Sequence, residues 1–331
     1  MSETRAMQAW FTVPTPNGAV FELREAKEPA AGPGQVVVAV RAAGVNRGEL
    51  IRAKEHRAGE PGRAGGEFAG EIHAVGAGVT GWARGDRVMG RATGSYAPFV
   101  AASTRALMRI PDGMGWGEAA AIPNVFITAH DAMVTNAETA PGESVIVTAG
   151  PSGVGTAAIQ IAKAIGATPV LTTTRTPAKA AALKALGADE VIDTRDAGWA
   201  DAVLRATGGK GVDVIIDHVG GSMLADNIKT LALKGRLVSV GRNASRVGDC
   251  DLDEIARKRA KIIGVTFRTR TAEESLQCGE RFAADLLGAF AKGTLRPTLD
   301  RAFPFARLAD AHAYMLSDAQ TGKIVLTVAT V

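Results

Sequence analysis

From residue 144 onward, short apolar runs recur at regular spacing, each separated from the next by a longer amphipathic stretch. The runs are SVIVT (144–148), TPVLTT (168–173), EVI (190–192), VDVIID (212–217), GRLVSV (235–240) and KIIGVT (261–266). Continuous apolar runs of this length read as strands covered on both faces. Between them, GTAAIQIAKAIG, PAKAAALKALG, GWADAVLRATG and GSMLADNIKTLAL carry helical patterning. In the first, Ala158, Ile161, Ala162 and Ile165 form one stripe at i, i+3, i+4 and i+7, and Gly166 stands where the helix should stop. Strands alternating with helices predict an α/β fold, a Rossmann-type doubly wound parallel sheet of six strands.

The chain before about residue 124 has a different texture. VVVAVRAAGVN, EFAGEIHAVGAGV, DRVMG and SYAPFVAA are strand-like and are separated by Gly- and Pro-rich turns such as EPGRAGG and ARGD. A separate, mostly β domain is expected there. After residue 267 come a predicted helix from Glu273 to Lys292 and a last strand, KIVLTV. The six-stranded sheet is already complete, so that strand is expected to pair with the N-terminal domain. The expected organisation is therefore 1–124 with 267–331 as one domain and 125–266 as the other.

A length of 331 residues suits two domains with substantial cores. The net charge of +4 is spread over scattered basic residues, which argues against a specific nucleic-acid face. Two cysteines, Cys250 and Cys278, make neither a disulfide framework nor a metal-ligand spacing, and a reducing cytoplasm is the expected compartment. The start lacks a signal-peptide pattern. The longest apolar candidate, AAAIPNVFITAHDAMV, is interrupted by Pro123, Asn124, His130 and Asp131, so no membrane span is expected.

Candidate chemistry begins at TAGPSGVG (148–155). Gly150, Gly153 and Gly155 stand between the first strand and first helix of the parallel domain, where a tight turn and a helix start can face a pyrophosphate. The spacing is G-x-x-G-x-G, and its strand–turn–helix context gives the pattern its weight. At the end of the second strand, where an acid would accept from an NAD ribose, the sequence reads Thr172, Thr173, Thr174 and Arg175, with Lys179 one turn on. Hydroxyls with two cations favour a 2′-phosphate and hence NADPH; the alternative is that both cations are merely solvated. Arg268, Arg270 and Lys323 are further cationic candidates for a cofactor phosphate or an anionic substrate.

The stretches AAGVNRGEL (42–50), EFAGEIHAVGAGV (67–79), GDRVMG (85–90), GSYAPFV (94–100), EAAAIPNVFITAHDAM (118–133), ALGADEVID (185–193), GVDVIIDHVGG (211–221) and TGKIVLTV (321–328), with the glycine turn, resemble the medium-chain dehydrogenase/reductase superfamily in its zinc-independent, quinone oxidoreductase-like branch. The resemblance covers nearly the whole chain. It implies a GroES-like β domain built from both chain ends, a cofactor cleft and a homodimer. It also implies that Asn46 lies near the nicotinamide ribose and substrate, and that Thr128 meets the nicotinamide end. Ser152, Gly153 and Val154 would face the pyrophosphate, with Gly241 and Phe267 further along the cleft.

Zinc-dependent relatives carry a cysteine in the GVN turn and a histidine just before the EF pair, where this chain has Asn46 and Gly66. The five histidines show no paired spacing, so no metal site is expected. Many quinone and enoyl-thioester reductases of the branch also carry a tyrosine about eleven residues after the Asn. Here that region holds His56 and Arg57, and Thr194 stands where some relatives have a cofactor-binding tyrosine. Asn46 reads equally as a substrate contact or a turn-stabilising residue, and His56 as a proton donor or an ordinary loop histidine. The expected activity is NADPH-dependent hydride transfer to a quinone or to an alkene conjugated to a carbonyl. The rivals are a specialised enoyl or cyclising reductase and an NADPH-binding protein with little catalysis.

Overall fold

The computed structural model describes residues 5–329, which divide into two compact units. The first ends at Asn124 and takes in Gly279–Ala291 and the chain from Pro297; the second comprises Val125–Cys278 and Lys292–Arg296.

The second unit is built on six parallel strands in the order Glu190–Asp193, Val170–Thr174, Val145–Val147, Val212–Asp217, Leu231–Ser239 and Lys261–Gly264. This is the doubly wound sheet that the alternation implies. Chain order reverses between Val145–Val147 and Val212–Asp217, the place where such sheets leave a crevice at their carboxyl edge. Ile146, Leu171, Ile215 and Leu237 pack with Trp199 and Val203 in the core. Helix Gly153–Ile165 buries Ala158, Ile161 and Ala162 and stops at Gly166, whose φ of 90° lies in the left-handed region. The sequence pattern ran the fourth helix through Leu233, but the helix ends at Thr230 and Leu231–Ser239 is strand. Short apolar stretches fit either period, and here pairing with Val212–Asp217 decides between them.

The first unit is centred on strand Gln35–Val45, which pairs with three neighbours. It belongs to a seven-stranded sheet whose core includes Val36, Val38, Phe68, Val88, Val100, Ile324 and Leu326. The final strand, Lys323–Thr327, runs antiparallel to it, Ile324 opposite Val45 and Thr327 opposite Ala42. The terminal strand thus returns to the N-terminal β layer, completing a GroES-like domain. Helix Pro123–His130 runs on into a π turn, Asp131–Asn136, and the long helix spans Ala272–Ala291. No helix among the described residues is long and apolar enough to cross a membrane.

Candidate active site

Because all six strands of the second unit are parallel, their carboxyl ends share one edge. That edge collects most of the residues expected at a cofactor: the glycine turn 150–155, Thr174 and Arg175, Thr194, Gly241, and Phe267 with Arg268. Thr128 lies on helix Pro123–His130. Lys179 closes the short turn Pro177–Lys179, half-buried, while Arg175 is exposed. Thr194 donates its backbone N–H to Thr174 O at 3.0 Å, tying the second and third strand ends together.

The glycines have local causes. A Cβ on Gly150 would lie 2.2 Å from Thr172 Oγ1, and one on Gly155 would lie 2.5 Å from Ala149 O, so turn and helix approach too closely for a side chain. Ala149 holds a φ of 52°, an uncommon conformation for a residue with a Cβ. It is pinned by Ala149 N–H to Thr173 Oγ1 at 3.1 Å and Ser152 N–H to Ala149 O at 2.9 Å. Ser152 caps the helix, its Oγ accepting from Gly155 N at 3.0 Å. The first-turn N–H groups of Gly153 and Val154 are thereby left at the helix start, where an anion is favoured.

At the point of reversal, Thr148 Oγ1 donates to Asp217 Oδ1 at 2.9 Å and accepts from His218 N at 2.8 Å. Asp217 also accepts from Val219 N and Gly220 N. His218 is buried, with Nδ1 3.0 Å from Thr148 O, and burial lowers its pKa, so the ring is neutral and Nδ1 carries the proton. Its Nε2 is a buried acceptor without a hydrogen-bond partner. Gly241 packs on this residue: a Cβ there would lie 2.6 Å from His218 O. Sequence reading missed Asp217 and His218 because DHVGG was read only as a matching stretch.

In the first unit, Asn46 sits inside a closed polar cluster. Its Oδ1 accepts from Lys323 Nζ at 2.5 Å and from Asn124 Nδ2 at 2.8 Å; its Nδ2 donates to Glu67 Oε1 at 2.9 Å, with Glu49 Oε1 and Gly44 O each at 3.3 Å. Lys323 spends its other donors on Glu67 Oε1 at 2.6 Å and Val45 O at 2.8 Å. The second oxygen of Glu67 accepts from Asn124 N at 2.7 Å. A lysine on one side and a carboxylate on the other fix the orientation of the Asn46 amide, and its hydrogen-bonding capacity is fully used. Lys323, a cationic candidate for a cofactor phosphate, is 3 % exposed and already holds a carboxylate.

Behind Asn46, Tyr96 Oη donates to Glu49 Oε2 at 2.5 Å. Burial raises the Glu49 pKa against the pull of Tyr96 and Lys323, and burial together with Glu49 pushes the phenol well above its ordinary range. Tyr96 has no exposed surface and supports Glu49 from behind.

Asn46 and His56 cap opposite ends of one helix, Arg47–Glu55. Ten residues of helix rise about 15 Å, so the two side chains do not share a reacting atom. Arg270 binds Asp131 through Nη1 at 3.1 Å and Nη2 at 2.7 Å, touches Cys278 Sγ and lies 4.6 Å over Phe267. Its charge is thus engaged within the second unit. Among the described residues, no three or more His, Cys, Asp or Glu side chains are grouped to hold a metal ion.

One unit thus carries a parallel sheet with a glycine turn at its carboxyl edge, and the other a GroES-like layer with a buried amide cluster. The family model described as zinc-binding dehydrogenase matches residues 153–282, and the one described as alcohol dehydrogenase GroES-like domain matches residues 32–112. The human quinone oxidoreductase is 32 % identical over 298 residues, covering 88 % of each protein. A spectinabilin polyketide synthase system protein, NorB, of Streptomyces orinoci is 35 % identical over 96 % of this chain, which spans only 14 % of that much longer protein. Among solved structures, mycobacterial Rv1454c complexed with NADPH superposes with a TM-score of 0.86 at 27 % identity, covering 97 % of this chain and 99 % of that one. The chain belongs to the medium-chain dehydrogenase/reductase superfamily.

Proposed function

We propose that the protein is an NADPH-dependent reductase that delivers hydride to a quinone or to an alkene conjugated to a carbonyl. The observation that carries the choice of cofactor is the end of strand Val170–Thr174, which closes on Thr174 and continues into exposed Arg175, with Lys179 on the next turn. Asp193, opposite Thr174 on the neighbouring strand, is engaged by Arg195 at 2.6 Å. Hydroxyl and cation at that place suit a 2′-phosphate.

The glycine turn fits a diphosphate, with Gly153 and Val154 N–H groups directed by the helix start. The orphaned Nε2 of His218 and the bare Cα of Gly241 suit close approach of the cofactor beside the point of reversal. A bound nicotinamide would supply the hydride, and the acceptor would take its second hydrogen as a proton from water. The Asn46 cluster has the rigidity of a positioning device, with Lys323 and Glu67 holding the amide in one orientation. Acceptors of this kind are electrophilic in themselves, so orientation against the cofactor is the main task left to the protein.

A cytoplasmic homodimer is part of the same reading. The outer strand Lys261–Gly264 leaves one edge of the parallel sheet open and exposes Ile262, a surface suited to a second copy.

The test is fluorescence titration with NADPH and NADH, followed by oxidation of the preferred cofactor with a panel of quinones and enones. Selective NADPH binding with acceptor-dependent oxidation is expected. Tight binding with turnover confined to one enone or thioester would instead mark a specialised reductase, and binding without any oxidation would mark a non-catalytic protein.

A further inference from the structure

The second strand of the parallel sheet ends on Thr174, but the sheet still brings an acid to that end. Strand Glu190–Asp193 pairs with it in register, Asp193 opposite Thr174, and Thr194 N–H donates to Thr174 O at 3.0 Å. Neighbouring strands lie about 4.8 Å apart, and residues in register point to the same face. Asp193 is therefore one strand spacing from the place where a dinucleotide ribose is read. An acid at such a place accepts from the 2′-hydroxyl of NAD and repels a 2′-phosphate.

Arg195, two residues on, holds that acid. Its Nε lies 3.1 Å from each carboxylate oxygen of Asp193, Nη2 lies 2.6 Å from Oδ2, and its backbone N–H donates to Oδ1 at 3.0 Å. Both oxygens are engaged by one residue. The side-chain contact with Arg195 keeps the Asp193 carboxyl below its usual range, so the group stays ionised and its charge is balanced by the guanidinium. The side chains are 60 % and 30 % exposed, and an ion pair so open to water adds little to stability. Its surroundings give it another use. Thr174 Oγ1 accepts from Thr176 N at 3.0 Å and turns the chain sharply, leaving Arg175 exposed at the same strand end and Lys179 on the next turn. Two cations and a neutralised acid thus gather at the ends of two paired strands.

We propose that Arg195 is a specificity-determining residue for the cofactor: by clamping Asp193 it masks the carboxylate that would otherwise oppose a 2′-phosphate and favour NADH. This rests on the NADPH reading only for which cofactor the wild type prefers. The direction in which Arg195 moves that preference is tested whatever its starting value.

The probes are NADP+ and NAD+, which differ only in the 2′-phosphate, titrated by calorimetry at constant ionic strength into the full-length protein with no acceptor present. Arg195→Met is expected to lower the ratio of NADP+ to NAD+ affinity about tenfold or more, by weakening NADP+ while NAD+ affinity holds or rises. Asp193→Asn keeps an acceptor for the Arg195 N–H, and by itself should leave the ratio unchanged or raise it. Combined with Arg195→Met it should restore most of the lost ratio, because no carboxylate is left to unmask. An unchanged ratio in Arg195→Met overturns the proposal, and a merely structural pair gives that result, with both affinities and the melting temperature falling together. A loss that the double variant does not recover, or a lower ratio in Asp193→Asn alone, overturns it as well, since either marks Arg195 as a direct phosphate contact and not a mask. The NADPH reading fails separately, if wild type binds NAD+ as tightly as NADP+ or more so; the masking proposal then still stands or falls on the shift between the variants.

Discussion

Lys323 Nζ lies 2.6 Å from Glu67 Oε1, and neither residue has more than a few per cent of its surface exposed. A buried ion pair is held at the cost of two desolvated charges, and here Val45 O, Asn46 and Asn124 satisfy the remaining donors and acceptors. Its role in the fold is to orient the Asn46 amide.

Removing one partner should therefore be severe. Lys323→Met is expected to lower unfolding free energy by about 3–5 kcal/mol, because Glu67 is left as an unpaired buried charge. The double variant Lys323→Met with Glu67→Gln should recover much of the loss. Denaturant melts of the two proteins decide the matter; equal losses in both would mean that the charge on Glu67 is not the cause.

Gly44 is required by the same pair. A Cβ at that position would sit 2.2 Å from Glu67 Oε1 and 2.8 Å from Ala120 O. Gly44→Ala should cost about 1–3 kcal/mol by overpacking. It should also weaken turnover more than cofactor binding, since Glu67 must move away from Asn46. Unchanged stability would show that the carboxylate has room to shift.

Glu49 gives the cluster a pH dependence. Its folded pKa is raised above the unfolded value of about 4.3, so the folded state holds the proton more tightly. That contribution is fully present below the unfolded pKa and is lost as pH rises through the folded one. Glu49→Gln stays neutral throughout, so its melting temperature should gain on that of wild type as pH rises from below the unfolded pKa. A constant offset between a pH below the unfolded carboxyl pKa and pH 8.5 would contradict this.

Arg175 and Lys179 should set cofactor choice. The double substitution Arg175→Ala with Lys179→Ala is expected to weaken NADPH binding roughly tenfold, within the range for charge-assisted hydrogen bonds, while leaving NADH unchanged. Equal loss of both cofactors would move the 2′-phosphate contact elsewhere.

The features legible in the sequence are those encoded by neighbouring residues. The stripe Ala158, Ile161, Ala162 and Ile165 with Gly166 located a helix and its stop, and the alternation of runs gave a parallel sheet whose carboxyl edge gathers the glycine turn, Thr174 and Gly241. Six strands already in one sheet also implied that Lys323–Thr327 pairs elsewhere, as it does with Ala42–Val45. Local periodicity and turn chemistry suffice for such inferences.

Tertiary structure alone decided which polar groups meet. Lys323 and Asn46 are 277 positions apart, and nothing in either neighbourhood marks them as partners; strand pairing brings them to 2.5 Å. The same holds for Arg63, whose sequence context of EPGRAGG reads as a turn but whose Nε is buried without a partner. A sequence records that a charge exists. Whether that charge is solvated, paired or left unpaired depends on which distant segments exclude water from it, and that is settled only when the sheets close.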